Sequence, residues 1–233
     1  MAHVSNYAEK EGSRFRRGKS WKINLFGANS DVSSPELQAF RLDLCAGQVL
    51  DAHFHIVDQF QVFIDGRGTI GRDEATVISA HYADHHTGYG PLIASEQGLP
   101  YLTLRSKTDA GLVFLREPKV REKLQPTKRR HRMSAPATLS TEPVLAAREA
   151  IVVEDLLEPR DDDEGIAVKL IRLGPGMSMP APETANSGGE YIVVMNGSLE
   201  LDGQSLRKHS LVFVRSTEEP PLLTAGPGGL EVM

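Results

Sequence analysis

Short runs of alternating apolar and polar residues, separated by turns rich in Gly and Pro, make up most of the chain. In the run FRLDLCAG, Phe40, Leu42 and Leu44 alternate with Arg41 and Asp43, the two-residue period of a half-buried β-strand. No helical spacing of apolar residues is convincing before about residue 140. Many short strands broken by Gly and Pro predict an all-β protein, either an antiparallel sandwich or a barrel.

This pattern occurs twice along the chain. The second half repeats the first in order: an alternating strand ending in Gly, a polar loop, an apolar strand, a Gly turn and further strands. Between the halves lies a segment rich in Lys, Arg, Pro, Ser and Thr, which is typical of an inter-domain linker. We predict an N-terminal arm over residues 1–30, a first barrel over 31–117, a basic linker over 118–145 and a second barrel over 146–233.

One stretch of the first half, GQVLDAHFHIVDQFQVFIDG, contains side chains that bind metals. His53 and His55 lie two residues apart, and Gln59 follows them. In a strand, residues i and i+2 point to the same face, so the two imidazoles are expected side by side. Such a pair is the start of a site for a first-row metal. The alternative is that both histidines belong to the polar face of an ordinary strand.

The same stretch resembles the first signature motif of the cupin superfamily. Gly47, His53, His55 and Gly66 have the family's spacing, and Gln59 stands where the family usually has Glu. The resemblance implies a bicupin, that is, two tandem double-stranded β-helix (cupin, jelly-roll-like) barrels. It also implies that the first barrel binds a divalent transition metal through the two histidines and the residue at position 59.

Cupins supply a further histidine ligand from a second motif. The corresponding stretch here, SAHYADHHTGYGP, contains His81, His85 and His86 but lacks the usual Pro-x-Gly turn. The family's spacing favours His86 as the ligand, with His81 next. Alternation places His81 and His85 on one strand face and His86 on the other, so both sets cannot face inwards. Asp84 and Tyr89 become candidates for supporting contacts or for facing a substrate, although Tyr89 is equally consistent with turn chemistry.

The second half does not retain this motif. Pro180 and Pro182 stand where the histidines are expected, whereas Glu190 and Gly197 keep the spacing of the motif's carboxylate end. One carboxylate does not hold a metal alone. The second barrel is therefore predicted to be metal-free and to serve as structure or interface, although its cavity could bind an organic molecule.

The amide at position 59 changes the expected chemistry. Gln59 is uncharged and cannot act as a general base. A metal held by neutral imidazoles and Gln59 would keep its full charge and favour a small organic anion. Fe, Mn, Ni, Co and Zn all suit such a ligand set. Three hypotheses follow: a metal-dependent oxygenase, isomerase or lyase acting on a small anion; a non-catalytic small-molecule-binding or sensing protein; or a protein kept for its fold, with a vestigial site.

Composition narrows the partners and the compartment. The 233 residues carry a net charge of -5, contain one cysteine, and include no apolar run of membrane-spanning length. Acidic net charge argues against nucleic-acid binding by the whole chain, and the absence of an apolar run argues against a membrane partner. One cysteine permits no internal disulfide, which is consistent with a cytoplasmic protein. A small-molecule ligand is expected, and both a monomer and a homodimer are plausible.

Overall fold

The chain forms two compact β-rich units. The computed structural model describes residues 2–28, 31–33, 36–160, 165–183 and 187–233. The first unit comprises residues 13–137, and the second comprises residues 1–12 together with 138–233. Strands are numbered β1 to β21 along the whole chain, and the two α-helices are α1 and α2. The all-β class predicted from alternation is confirmed.

In the first unit, antiparallel strands form three sheets. Among the described residues, the largest has the order β14-β10-β7-β12-β4-β3-β2, a second has the order β5-β11-β8-β9, and β13 pairs with β6. The strands are β2 (Phe15–Arg17), β3 (Ser20–Phe26), β4 (Gln38–Leu44), β5 (Val49–Leu50), β6 (His53–Phe54), β7 (Gln59–Phe63), β8 (Arg67–Ile70), β9 (Asp73–Thr76), β10 (Ser79–Ala83), β11 (Leu92–Ala94), β12 (Leu99–Arg105), β13 (Val113–Phe114) and β14 (His131–Met133).

The register of the large sheet brings polar side chains together on one face. Gln61 of β7 lies opposite both Thr103 of β12 and His81 of β10, and Gln38 of β4 lies opposite Arg105 of β12. Because residues two apart share a face, these side chains continue one polar surface across neighbouring strands. All five are buried, so the first unit encloses a polar interior beside its apolar cluster.

The second unit contains one sheet among its described residues. The order is β1-β20-β18-β21-β16-β15, with β17 paired to β21 and β19 to β18. The helices are α1 (Tyr7–Lys10) and α2 (Glu142–Ala146), and the strands are β1 (His3–Ser5), β15 (Val152–Leu157), β16 (Val168–Leu173), β17 (Ser178–Pro180), β18 (Glu190–Leu201), β19 (Gln204–Arg207), β20 (Leu211–Val214) and β21 (Leu222–Val232).

The second unit contains an apolar core cluster. Ile192 and Val194 of β18 pack into a cluster with Val212 and Val214 of β20 and other buried aliphatic side chains. Glu190 shares their strand and is half-buried, and burial raises the pKa of its carboxyl to about 7. The same unit also buries Glu231, whose carboxylate pairs with Arg172 at 3.0 Å.

The segment predicted as an N-terminal arm is structured where it is described; residues 1, 29 and 30 lie outside the described residues. Strand β1 pairs with β20 in the second unit, and α1 begins after Asn6, whose side chain accepts a hydrogen bond from the amide of Ala8. Strands β2 and β3 belong to the sheet of the first unit, where Ile23 and Leu25 are buried. This polar segment is ordered by pairing with strands that are distant in sequence. Its own strands are too short for an alternating pattern to show them in the sequence.

The segment predicted as a linker is also divided between the units. Strand β14 pairs with β10, and Arg130 forms an ion pair of 2.9 Å with buried Asp84. The run KRRHR, from Lys128 to Arg132, therefore contributes both Arg130 and His131 to part-buried contacts. Residues 138–145, which include most of α2, group with the second unit. Composition alone does not show such cross-strand partners.

Two further local features differ from what the sequence suggests. The adjacent runs YLTLRSK and GLVFLREP have the pattern of a hairpin, but β13 pairs with β6. Cys45 follows the alternating residues of the run FRLDLCAG but is exposed, because β4 ends at Leu44 and Cys45 lies in the turn after it. Among the described residues, no helix is long and apolar enough to span a membrane.

Candidate ligand-binding site in the first unit

His53 and His55 lie together at the polar interior of the first unit, as the alternation predicted. Their ring centroids are 5.2 Å apart, and both side chains are buried. The backbone of His53 exchanges hydrogen bonds with Tyr89, which fixes β6 against the loop after β10. Phe54, between the two histidines in sequence, points to the opposite face and packs against His86, with ring centroids 5.5 Å apart.

Each imidazole is anchored through its Nδ1 atom. His53 Nδ1 lies 2.7 Å from the carbonyl oxygen of Asp51, and His55 Nδ1 lies 2.8 Å from a carboxylate oxygen of Asp109. The partner of His53 Nδ1 is an acceptor, so this Nδ1 carries the proton and Nε2 carries the lone pair. His55 Nδ1 also lies 3.0 Å from Nη2 of Arg105, a donor, but the closer carboxylate of Asp109 favours the proton on Nδ1. His53 Nε2 accepts a hydrogen bond of 3.1 Å from the hydroxyl of Tyr89.

Both rings are neutral at pH 7. Burial is the largest cause, and proximity to His55 the second, of a shift that lowers the pKa of His53 to about 4. Burial also lowers the pKa of His55, although the hydrogen bond to Asp109 opposes this shift. A buried imidazole loses hydration when charged, which explains the direction. The two rings therefore offer lone pairs rather than positive charge.

Gln59 is held between a donor and an acceptor. Its Oε1 atom accepts hydrogen bonds from Nε and Nη2 of Arg105 at 3.0 and 2.7 Å, and its amide nitrogen donates to the Tyr89 hydroxyl. Arg105 is 4% exposed and also donates to Gln38. An amide rather than a carboxylate at position 59 leaves this buried guanidinium with a neutral partner.

Asp109 supplies the counter-charge of this network. Besides His55, its carboxylate accepts hydrogen bonds from the backbone amides of Ile56 at 3.1 Å and Gly111 at 2.9 Å, and Arg105 Nη1 lies 3.2 Å away. Burial alone would raise the pKa of Asp109, but the hydrogen bond from His55 and the charge of Arg105 outweigh it and lower the pKa. Asp109 is therefore ionised at pH 7.

His81 lies at the edge of this group. Its ring is 4.9 Å from that of Tyr89, its Nδ1 lies 3.0 Å from Gln61 Oε1, and its Nε2 lies 3.1 Å from Nδ1 of His131. Burial lowers the pKa of His81 to about 3. Because Gln61 Oε1 is an acceptor, the Nε2 lone pair of His81 faces His131 rather than the two histidines of β6.

His86, the residue that spacing favoured, lies away from the site. Strand β10 ends at Ala83, so the alternation assumed for His85 and His86 does not continue. His86 has a φ of 52° and packs on Phe54, on the side of β6 opposite the paired imidazoles. His85 is half-buried, and its Nδ1 lies 2.7 Å from Oδ1 of Asp58. Asp84 is engaged with Arg130 and with the hydroxyl of Tyr82 rather than with a ligand.

The predicted metal-ligand set is only partly assembled. The Nδ1 contacts of His53 and His55 leave Nε2 as the metal-binding atom of each ring, but Nε2 of His53 accepts a hydrogen bond from Tyr89. The oxygen of Gln59 accepts two hydrogen bonds from Arg105, and the lone pair of His81 faces away. Among the described residues, no group of three or more His, Cys, Asp or Glu side chains is placed to hold a metal ion. As arranged, the predicted ligands do not fit a metal held by three imidazoles and Gln59.

A pocket of about 220 Å³ adjoins the two imidazoles. Three cationic side chains line it, Arg17, Lys22 and Arg105, and its described lining contains one carboxylate, Asp109. Lys22 Nζ lies 4.0 Å from the centre of the Phe40 ring, and Arg105 Cζ lies 5.5 Å from it. The rest of the described lining is neutral: Ala28, Gln38, Leu42, Leu50, His53, His55, Gln59, Gln61, Tyr101, Thr103, Ala110, Gly111 and Leu112. With both imidazoles neutral, positive charge is in excess.

Several residues of the site were not predicted from the sequence. Arg105 and Asp109 were overlooked, as was Lys22. A signal for Arg105 exists in YLTLRSK, where Tyr101, Thr103 and Arg105 alternate with leucines and so share a face. Asp109 lies after the end of its strand, where no periodicity applies.

The comparisons with known proteins support the fold. No family model and no curated protein matches the chain by sequence. Among solved structures, the chain is similar to a proposed dioxygenase from Nostoc punctiforme, with 14% identity over 100% of this chain and 77% of that one, and a TM-score of 0.58. It is also similar to a pirin from Escherichia coli in complex with nickel(II), with 14% identity, 100% and 96% coverage and a TM-score of 0.59.

A third similar structure is the formate complex of an oxalate decarboxylase from Lactobacillus farciminis, with 11% identity, 98% and 84% coverage and a TM-score of 0.60. All three are cupin-superfamily proteins. The chain therefore has the cupin fold, as the motif between Gly47 and Gly66 predicted. At these identities the likeness defines the fold and leaves the activity to be argued from the site.

Proposed function

We propose that the first unit is a binding site for a small organic anion. The observation that carries this proposal is the charge of its pocket, where Arg17, Lys22 and Arg105 face one carboxylate, Asp109. Because Asp109 already pairs with Arg105 and His55, no described carboxylate of the pocket remains for Lys22 or Arg17. An anionic ligand would supply the missing negative charge, and charge-assisted hydrogen bonds would hold it.

The pocket also places a buried cation beside apolar side chains that a ligand can contact. Lys22 is 7% exposed, and its neighbours in the lining include Phe40 and Leu42. A buried cation binds an anion more strongly than an exposed one, because less water screens the pair. The Nε2 atom of His55 and the hydroxyl of Thr103 are polar groups that could orient the rest of the ligand.

The test is a binding titration of the whole chain with small carboxylates and with their neutral amide analogues, by calorimetry. We expect carboxylates to bind, amides to bind at least tenfold more weakly, and salt to weaken carboxylate binding. Lys22→Met should lower carboxylate affinity about tenfold, which corresponds to about 1.4 kcal/mol.

Lys19→Met is the matched control, since Lys19 is exposed three residues earlier and should bind carboxylates like the wild type. Equal affinity for carboxylates and amides, or unchanged carboxylate affinity in Lys22→Met, would contradict the proposal.

The metal-dependent oxygenase, isomerase or lyase predicted from the sequence is the second candidate. It is supported by the Nδ1 anchoring of His53 and His55, which is how proteins orient metal-binding imidazoles. The likeness to a pirin that binds nickel(II) makes a divalent metal plausible. A metal bound here would supply a Lewis acid to an anionic substrate, and a third protein ligand would have to come from a side chain that is now otherwise engaged.

Metal content tests this second candidate. The protein would be produced with Fe, Mn, Ni, Co and Zn supplied in turn, and bound metal would be measured by elemental analysis in the wild type and in His53→Ala/His55→Ala. A stoichiometric metal lost in the double variant would support the metalloenzyme. Less than about 0.1 equivalents of any of the five metals in the wild type would exclude it and leave anion binding as the function.

A further inference from the structure

The side chain of Lys22 lies inside the pocket without a described counter-ion. It projects from β3, where Leu42 of β4 is its cross-strand neighbour, and its Nζ atom faces the Phe40 ring at 4.0 Å. Among the described residues, no ion pair or hydrogen bond joins Lys22 to a carboxylate. A lysine that is 7% exposed normally pairs with a carboxylate. The position of Lys22 therefore indicates that its amine acts on a ligand in the pocket.

The surroundings of Lys22 disfavour its protonated form. Burial removes hydration from the ammonium, and the charges of Arg17 and Arg105 repel it; together they lower the pKa of Lys22 to about 8. At pH 7 such an amine is neutral in about a tenth of the molecules, against roughly 0.03% for an ordinary lysine. The one described carboxylate of the pocket, Asp109, is committed to His55 and Arg105 and does not offset the repulsion.

We propose that Lys22 is an amine nucleophile that captures the carbonyl carbon of a small 2-oxo acid as an imine. The inference rests on the proposed function, because the acid group of the ligand is what the cationic pocket would bind. Lysines placed beside other cations in an apolar site are activated in this way. Phe40 and Leu42 beside the amine provide the apolar part of that environment.

The reaction balances without any further reagent. The neutral Nζ atom donates its electron pair to the carbonyl carbon, and the π electrons of the C=O bond move to oxygen, giving a carbinolamine after proton transfer from nitrogen to oxygen. Loss of the hydroxyl group with a second proton from nitrogen releases one water and forms the C=N bond. Nothing is oxidised or reduced in this step.

The cationic lining favours a 2-oxo acid over a simple aldehyde or ketone. In a 2-oxo acid the carboxylate is attached directly to the carbonyl carbon, so the charge of Arg17 and Arg105 acts next to the reacting atom. Arg105 already contacts Gln59, Gln38 and Asp109, so it contributes mainly its charge to ligand binding. Arg17 has no described ion pair. The pocket, at about 220 Å³, is smaller than the roughly 300–1,000 Å³ typical of sites for drug-sized ligands, which favours a small acid.

Reductive trapping tests the proposal. The whole chain would be incubated at pH 7 with pyruvate and sodium cyanoborohydride, which reduces an imine to a stable secondary amine, and analysed by intact mass and peptide mapping. We expect one adduct per chain, located at Lys22 and formed at least about tenfold faster than adducts at exposed Lys19, given the difference in neutral amine. Propionate, which lacks the carbonyl, should slow trapping by competition, and acetaldehyde should label Lys22 less than pyruvate does.

Two variants keep the outcome decisive. Lys22→Arg retains a positive charge but forms no imine, and Lys22→Met removes the amine; both should give no adduct above the level of exposed lysines, while Lys19→Met should be trapped like the wild type. Circular dichroism confirms folding. Trapping spread evenly over exposed lysines, or persisting in Lys22→Arg, overturns the inference. If propionate binds the wild type but pyruvate is not trapped, imine formation is wrong and anion binding stands; if neither occurs, both fail.

Discussion

Replacing Asp109 with Asn should destabilise the first unit more than any other single loss of charge in the site. The carboxylate accepts hydrogen bonds from His55 Nδ1 and from the amides of Ile56 and Gly111, and it is the described counter-charge nearest to Arg105. An Asn side chain has one acceptor oxygen and one NH₂ group, so its NH₂ must face at least one of these donors. It also removes the described negative charge nearest to the buried guanidinium of Arg105.

The expected loss follows from breaking a buried ion pair by removing one member, which typically costs 3–5 kcal/mol. We take about 3 kcal/mol, because the amide oxygen retains some of the hydrogen bonds. For a chain of this size, that lowers the melting temperature by about 6 to 12 °C. Fluorescence of Trp21, the single tryptophan, reports on the unfolding of the first unit, to which it belongs.

The matched control is Asp51→Asn. Asp51 pairs with Arg116 in the same unit, but both side chains are largely exposed, and exposed pairs contribute less than about 1 kcal/mol. The carbonyl that anchors His53 is retained in this variant. If Asp109→Asn melts within about 2 °C of Asp51→Asn, the account of Asp109 as the essential counter-charge is wrong.

Two further predictions concern pH and the motif glycines. Burial lowers the pKa of His53 from 6.5 to about 4, so between pH 6.5 and 4 the unfolded chain protonates His53 more readily than the folded chain does. The free energy of unfolding should therefore fall as pH decreases from about 6.5 to 4, by up to about 1.4 kcal/mol per pH unit. In urea titrations at pH 7 and 5, His53→Gln should lose less stability on acidification than the wild type, and an equal loss would refute this. Gly66→Ala should destabilise the protein by several kcal/mol more than Gly47→Ala. Both glycines have a φ of 66°, but a Cβ at Gly66 would lie 2.2 Å from the Gly98 carbonyl oxygen, whereas a Cβ at Gly47 would meet nothing within 4 Å. Equal melting temperatures of the two variants would contradict this prediction.

The parts of the site that were predicted correctly depend on local geometry. His53 and His55 share a direction because a strand alternates side chains every two residues, and Gln59 begins the next strand of the same motif. His86, which spacing favoured over His81, lies apart from the paired imidazoles for a local reason as well. Strand β10 ends at Ala83, and the positive φ at His86 lies beyond any periodic rule.

The alternating pattern by itself determined the all-β class, and the motif between Gly47 and Gly66 indicated the cupin fold and the paired imidazoles. Tertiary structure decided which side chains surround those imidazoles. Arg105 and Asp109 lie about fifty residues further along the chain, and Lys22 lies about thirty residues before His53. Only strand register brings them to one pocket, and register is a property of pairing between distant segments. For the same reason, the charge of the pocket could not be read from the net charge of the chain.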